Sequence, residues 1–149
     1  SLLIYRISFL NYIENINIEL EEDLSASKGE VVTLFSASSP HWADKKPEGE
    51  HYITDGPFMF RTKDDELLMI WSTFIKGNYA ECAVKFIGGE IGEDFVHLEP
   101  IVTSDGGHGM IFRKDNKLYL TYHTPNQTDY ERPTFRLIED MGSEIKLID

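Results

Sequence analysis

Cysteine and basic side chains are scarce in this 149-residue sequence. Cys82 is the only cysteine, so the chain cannot form an internal disulfide. Lysine and arginine number 14 against 26 acidic side chains, a formal charge of −12. That balance argues against nucleic acid and against an anionic membrane surface as partners, because both require clustered cations. No apolar run approaches the ~18 residues of a membrane span. With 41% apolar and 12% aromatic residues, the chain is predicted to fold around a core rather than to stay disordered.

Helix signals are weak, and the apolar residues occur instead in short alternating runs. The runs are rich in Phe, Tyr, Val and Ile and are bounded by Gly, Asp or Asn, a pattern typical of β-strands. Tight polar connections at residues 63–65 and 115–116 are typical of hairpins. The sequence therefore predicts an all-β fold, with strands at 31–35, 58–62, 67–74, 80–86, 95–102, 110–114, 118–123, 134–138 and 145–148.

An internal repeat adds detail to this prediction. Residues 56–61 (GPFMFR) align with 108–113 (HGMIFR), and residues 67–72 (LLMIWS) align with 118–123 (LYLTYH). Each copy is followed by two more predicted strands. The repeating unit is therefore four antiparallel strands in about fifty residues, the size of a β-propeller blade. Two similar hairpins in an ordinary β-sandwich are the alternative.

The repeat predicts a partial β-propeller of about two and a half four-stranded antiparallel blades. Closed propellers have roughly four to eight blades, and an open stack leaves sheet edges unpaired. We therefore expect the chain to belong to a larger propeller, or to complete one as a homodimer. The predicted organisation is a leader of unclear structure at 1–17 and a partial propeller at 18–149, divided into outer strands of a blade at 18–35, a long loop at 36–55, a full blade at 56–105 and a second blade at 108–149.

Asp55 and His108 are predicted to meet at one end of this propeller. The alignment places Asp55 level with Gly107 and Gly56 level with His108, at the starts of neighbouring innermost strands. Those strands line the central axis of a propeller, so a carboxylate and an imidazole would converge at a concave opening, as a candidate catalytic or ion-binding pair. Glycines on both sides of His108 let its backbone approach a neighbour closely. The alternative is that Asp55 only caps the turn that follows it.

Two other side chains allow more than one interpretation. Trp42 lies in the long predicted loop, where its ring can stack on a flat apolar partner such as a sugar, or can plug the gap between blades. His97 is predicted to lie on the surface of an outer strand. A zinc site is not predicted, because one histidine cannot form it and no HxH or HExxH spacing is present.

Four segments taken together resemble the glycoside hydrolases of family 43. They are residues 55–58 (DGPF), 106–113 (GGHGMIFR), 118–123 (LYLTYH) and 131–133 (ERP), and the likeness covers roughly residues 18–141. Members of that family are five-bladed propellers that cleave arabinose- and xylose-containing polysaccharides with inversion. They use an Asp base from the first blade, an Asp from the second that tunes the acid, and a Glu acid from the third.

The resemblance implies roles for individual residues. The acid of the family precedes Gly-Pro-Phe, so this role falls on Asp55. The histidine of the Gly-His-Gly motif lies under the sugar subsite and often holds a central metal ion through water, which places His108 in the substrate site and implies a central calcium ion near it. No cofactor is required for the reaction. Phe58 and Trp42 are weaker candidates for apolar walls of the pocket.

This sequence departs from the family in two ways. Asp55 replaces the usual Glu and is one methylene shorter, and no segment matches the base or the tuning Asp. Inverting hydrolysis needs two carboxyl groups about 6.5–9.5 Å apart, so we expect the chain alone to be incomplete and inactive. The resemblance implies hydrolysis of pentosyl linkages in an oligo- or polysaccharide, and favours a periplasmic or secreted protein. The alternative is a non-catalytic carbohydrate-binding or protein-interaction propeller fragment.

Overall fold

A computed structural model of the chain describes residues 2–9, 12–92 and 94–148, and for residues 2–9, 12 and 13 only the backbone. Strands dominate these described ranges, which confirms the all-β prediction. They form three antiparallel sheets in which consecutive strands are neighbours. Within the same ranges, no helix has the length and hydropathy needed to cross a membrane.

One three-stranded sheet and two four-stranded sheets make up the described chain, which agrees with a partial propeller of about two and a half blades. The first sheet contains β1 (Leu2–Phe9), β2 (Tyr12–Leu20) and β3 (Ser27–Ser36). The second contains β4 (Asp55–Arg61), β5 (Leu67–Ile75), β6 (Asn78–Phe86) and β7 (Phe95–His97). The third contains β8 (Gly107–Lys114), β9 (Lys117–Thr124), β10 (Arg132–Asp140) and β11 (Ile145–Leu147).

The N-terminal segment differs from the prediction. Residues 1–17, expected to be a leader of unclear structure, contain β1 and most of β2, which pair from Leu2 with Glu19 to Phe9 with Tyr12. Residues 1, 10 and 11 of that predicted leader lie outside the described residues. The repeat is defined by its Gly-containing innermost strand, and residues 1–17 contain no such segment, so the alignment does not extend to them.

The second sheet is buried on both faces because it lies between the other two. Every residue of β5 is buried. Successive side chains of a strand point to opposite faces, so alternate residues of β5 enter two different core clusters. One cluster contains Trp71 together with Phe35 of the first sheet. The other contains Ile70 together with Leu120 of the third sheet.

The third sheet has one covered face and one open face. In β9, Leu118, Leu120 and Tyr122 are buried, whereas the residues between them are partly exposed. On this open face Phe135 is 59% exposed and Met110 is 50% exposed. The open face, as the term is used below, consists of Met110, Phe112, Tyr119, Thr121 and Phe135.

The connection from β7 to β8 runs along β6 rather than away from it. The predicted strand at 95–102 ends at His97, and residues 98–106 continue without regular pairing. Backbone hydrogen bonds nevertheless tie this connection to β6: the Leu98 N–H donates to the Ala83 carbonyl, the Val102 N–H to that of Glu81, and the Gly106 N–H to that of Tyr79. The position of β8 is therefore fixed by β6.

Candidate functional site

The starts of β4 and β8 lie side by side and bring Asp55 and His108 together. His108 Nδ1 lies 3.5 Å from Asp55 Oδ2, and the two side chains are 55% and 30% exposed, respectively. This is the juxtaposition that the repeat predicts. The catalytic role of Asp55 and the substrate-binding role of His108 stay predictions.

Glycines allow the backbones of the second and third sheets to approach this closely. Gly56 has φ +53°, and a Cβ there would lie 2.9 Å from the Cα of His108. A Cβ on Gly107 would lie 2.7 Å from Ser72 Oγ, and a Cβ on Gly109 would lie 3.0 Å from Glu81 Cδ. Close approach of one backbone to another is a recurrent reason for glycine in a strand. The backbone around His108 therefore rests directly on β5 and β6.

Three polar side chains of the second sheet form a row beneath this backbone. Asp55 of β4 pairs with Ser72 of β5, and Ser72 pairs with Glu81 of β6, so the three side chains share one face of the sheet. Ser72 Oγ accepts a hydrogen bond from the His108 N–H at 2.6 Å and donates one to Glu81 Oε2 at 2.8 Å. The Gly109 N–H donates to the same Glu81 oxygen at 3.0 Å.

Glu81 is the most deeply buried acid of the site, with a relative exposure of 0%. Burial raises its pKa to about 7, against the opposing effect of the hydrogen bonds from Ser72 and from the Gly109 N–H. Its Oε1 atom has no hydrogen-bond partner among the described residues. Glu81 therefore carries a proton near neutral pH more readily than an exposed glutamate does.

Tyr79 and His123 complete the surroundings of Asp55. Tyr79 Oη donates to Asp55 Oδ2 at 3.2 Å. Burial and the neighbouring Asp55 carboxylate raise the pKa of Tyr79, so the phenol stays protonated and remains a donor. The Tyr79 ring stacks on His123 with centroids 5.4 Å apart, and His123 Nε2 lies 3.1 Å from Asn126 Oδ1.

An open cleft of three adjoining depressions lies over these residues. The central depression, of about 200 Å³, is lined by Asp55, Tyr79 and His123. A second, of about 310 Å³, is lined by His108 and His123, among others. The third, of about 520 Å³, extends between the long loop and the β9–β10 connection; its polar lining residues are Lys46, Glu48, Asp105, Asn126, Gln127, Thr128 and Glu131.

Phe58 and Trp42, predicted as walls of the pocket, are placed elsewhere. Phe58 packs against the core cluster between the second and third sheets. Trp42 packs against the other cluster, with its ring centroid 6.1 Å from that of Trp71. Neither residue lines the three depressions of the cleft. Trp42 thus has the position of its alternative role, in the gap between two blades.

The surface position predicted for His97 is wrong. Its ring is half-buried, with its centroid 4.9 Å from that of Phe35, and its Nε2 lies 2.8 Å from Ser39 Oγ. Burial lowers the pKa of His97 to about 4. Residues 37–54 fold back over β7 at Ser39, a long-range contact that alternation within the strand does not show.

The described residues near His108 do not form a set of protein ligands for the predicted calcium ion. Among the described residues, no group of three or more His, Cys, Asp or Glu side chains is placed to hold a metal ion. Calcium takes roughly six to eight oxygen ligands, whereas His108 offers nitrogen beside the Asp55 carboxylate. The described residues do not fit a calcium site built from protein ligands. A water-mediated ion at His108 stays a prediction.

Sequence reasoning missed four residues of the site: Ser72, Tyr79, Glu81 and His123. Two of them carried a signal, since Ser72 and His123 are aligned with each other at the ends of the repeated segments. Glu81 carried another, because it is the single carboxylate within the otherwise largely apolar β6. Tyr79 could not be distinguished by sequence from the other aromatic core residues.

Comparison with known proteins identifies the fold. No protein-family model and no curated protein matches the chain. Solved structures do match, among them an endo-arabinase from Bacteroides thetaiotaomicron, 32% identical over 85% of this chain and 46% of that chain, with a TM-score of 0.77. A thermostable family-43 glycoside hydrolase is 17% identical over 93% of this chain and 48% of its own, with a TM-score of 0.76.

A third match is an α-L-arabinanase from Cellvibrio cellulosa in complex with arabinohexaose. It is 12% identical over 97% of this chain and 56% of its own, with a TM-score of 0.59. The two matches of lower identity show a shared fold alone. The chain spans about half the length of these solved structures.

Proposed function

We propose that this chain, which is part of a family 43 glycoside hydrolase by fold and sequence likeness, provides the general acid of an inverting glycosidase acting on arabinose- or xylose-containing polysaccharide. Asp55 is the acid in this proposal, and His108 contacts the sugar beside it. The observation that carries the proposal is the placement of Asp55, 30% exposed, beside His108 at the bottom of an open cleft.

In the proposed reaction the protonated Asp55 carboxyl gives its proton to the glycosidic oxygen while the bond from that oxygen to the anomeric carbon breaks. Water attacks the opposite face of the sugar, and a second carboxylate removes the proton of that water. Tyr79 donates to Asp55 Oδ2 and so orients the carboxyl group. No segment of this sequence matches the base of the family, so we expect the chain alone to bind sugar without cleaving it.

The shape and lining of the cleft support an oligosaccharide as ligand. The three depressions adjoin, so the cleft offers room for more than one sugar ring. Amide and charged side chains such as Lys46, Asn126 and Glu131 supply hydrogen-bonding groups for hydroxyls. Arabinan-acting proteins among the solved matches, one of them complexed with arabinohexaose, favour arabino-oligosaccharides as the first ligands to test.

A non-catalytic carbohydrate-binding fragment is the second candidate. Its support is Asp55 itself, which is one methylene shorter than a glutamate and is turned toward Tyr79 and the Gly56 N–H, the latter 3.0 Å from Oδ1. A general acid must come within about 2.6–3.2 Å of the leaving oxygen. A shorter side chain that is held by these hydrogen bonds reaches less far into the cleft.

The two candidates differ when the missing blades are supplied. The chain can be joined to the blades of the Bacteroides endo-arabinase that it does not match, and assayed on arabinan. We expect hydrolysis with inversion, seen by NMR at the anomeric carbon, and a loss of at least a hundredfold in Asp55→Asn. Asp64→Asn, in an exposed turn, is the matched control and should hydrolyse normally.

Other outcomes of the assay decide between the candidates. Arabino-oligosaccharide binding without hydrolysis by the joined protein would favour the binding fragment. Hydrolysis undiminished in Asp55→Asn would remove Asp55 from the mechanism.

Two further expectations belong to this proposal. A protein acting on polysaccharide is expected in the periplasm or outside the cell, which fractionation with an antibody to the chain would test. The open face of the third sheet leads us to propose contact with further blades, from a longer protein or from a second copy in a homodimer.

A further inference from the structure

We propose that Glu81 and Ser72 are positioning residues that hold the backbone of His108 and thereby set the contact between His108 and Asp55. Neither residue is assigned a role in sugar cleavage by the proposed function. The effect on sugar binding rests on that function, whereas the effect on the geometry of His108 does not.

The hydrogen bonds converge on two successive backbone amides. Ser72 Oγ receives the N–H of His108, and Glu81 Oε2 receives the N–H of Gly109. The Ser72 hydroxyl also donates to Glu81 Oε2, so the two acceptors are fixed with respect to each other. Each N–H on either side of the His108 Cα is therefore held by the second sheet.

The backbone conformation of His108 needs such support. Its φ is +56°, in the left-handed region that residues other than glycine seldom adopt. A conformation of this kind persists only where the surrounding structure determines it. Ser72 and Glu81 supply that determination, because they hold the amides of His108 and of the next residue.

The burial of Glu81 separates this role from catalysis. Its relative exposure is 0%, so it cannot touch a ligand in the cleft. A Cβ on Gly109 would lie 3.1 Å from both carboxylate oxygens of Glu81, which shows how tightly the His108 segment rests on this carboxylate. Glu81 is buried, and its Oε2 atom accepts a hydrogen bond from the Gly109 N–H of the neighbouring blade. It can therefore influence the site only through the backbone that it holds.

Ring NMR signals of histidine-labelled protein report the geometry of His108 without turnover. The full chain and its Ser72→Ala, Glu81→Ala and Glu81→Gln variants are compared, with His108→Ala used to assign the signal. We expect Ser72→Ala and Glu81→Ala to shift the His108 signals, and to weaken binding of an arabino-oligosaccharide about tenfold. Glu81→Gln keeps an oxygen acceptor and should remain near wild type.

Thr73→Val is the matched control. Thr73 is buried, follows Ser72 in β5, and has a hydroxyl without a hydrogen-bond partner among the described residues. We expect the His108 signals to be unchanged in this variant. Unchanged signals in both Ser72→Ala and Glu81→Ala would overturn the proposal, as would an equal shift in Thr73→Val.

The two proposals fail separately in this experiment. If wild type binds no sugar, the proposed function fails while the His108 signals still test the positioning role. If Glu81→Ala does not fold, Ser72→Ala provides the same test, because the Ser72 hydroxyl that this variant removes is the direct acceptor of the His108 N–H.

Discussion

Ser72 and His123 occupy the same place in two successive sheets. Ser72 pairs with Asp55 at the start of the second sheet, and His123 pairs with Gly107 at the start of the third. Ser72 holds the backbone of His108, and the His123 ring stacks on Tyr79 beside Asp55. The same position of the repeating unit thus contributes to the site in both blades. In one blade it supplies a hydrogen-bonding hydroxyl, and in the other it supplies a stacking ring.

Gly107→Ala tests the close contact between blades. The added Cβ would meet the Tyr79 ring at 2.6 Å, so the second and third sheets must move apart locally. Overpacking of this kind destabilises by about 1–3 kcal/mol. Urea unfolding measures the loss. Gly92→Ala, where a Cβ meets nothing within 4 Å, is the control and should unfold like wild type.

Glu81 makes the stability of the fold depend on pH. Its pKa is raised from 4.5 to about 7, so the native state keeps a proton that the unfolded chain releases between those values. The resulting stabilisation is fully present below pH 4.5 and is lost as pH rises through 7; the total is on the order of 3 kcal/mol. Glu81→Gln lacks this titration.

Urea unfolding of wild type and Glu81→Gln at pH 5 and pH 8 isolates that effect, because all other groups are shared. We expect the stability of Glu81→Gln relative to wild type to be higher at pH 8 than at pH 5. An equal difference at both pH values would show that Glu81 titrates as an ordinary exposed glutamate.

His97 also makes the stability of the fold depend on pH, but its contribution is lost as the pH falls, and at more acidic pH than that of Glu81. Burial lowers its pKa from 6.5 to about 4, so the unfolded chain binds a proton that the native state excludes. The stability that depends on neutral His97 is present above pH 6.5 and is lost as pH falls through 4. His97→Phe keeps an aromatic ring beside Phe35 and Trp71.

Thermal unfolding followed by circular dichroism at pH 7 and pH 4 compares the two proteins. We expect the melting temperature of wild type to fall more on acidification than that of His97→Phe. A parallel fall would mean that His97 is protonated in the folded protein.

The open face of the third sheet makes self-association testable. Phe135 is 59% exposed on this face, and a lysine there places a charge in any contact that covers it. For a homodimer that buries this face, wild type should elute as a dimer in size exclusion with light scattering, and Phe135→Lys as a monomer. Val96→Lys, at an exposed position of β7, is the control and should stay dimeric. A monomeric wild type would refute the homodimer.

The blade architecture was predictable because its signals are local. Alternating runs marked the strands, and the repeat of GPFMFR as HGMIFR marked the blade and aligned Asp55 with Gly107. The juxtaposition of Asp55 and His108 followed from that alignment, since equivalent positions of successive blades meet at the same end of the axis. Alternation of apolar and polar residues within a strand, and repetition of a short segment, are both visible in the order of the residues. No knowledge of the folded contacts is needed to detect them.

The parts that the sequence leaves open or does not predict depend on contacts between distant segments. Glu81 is a site residue only because β8 lies over β6, and Trp42 is a core residue only because the long loop folds back on Trp71. His97 is covered by the same loop at Ser39. The sequence shows that a polar residue lies in an apolar strand, or that an aromatic residue lies in a loop. It does not show which distant segment packs against that residue.

The connection at residues 98–106 has a mechanical consequence. Hydrogen bonds from Leu98, Val102 and Gly106 fasten it to β6 along its length, so it cannot serve as a hinge. We therefore expect the second and third blades to keep their relative position when a ligand binds. Any adjustment to ligands of different size falls to the rim of the opening, where Lys46 and Glu48 project from the long loop.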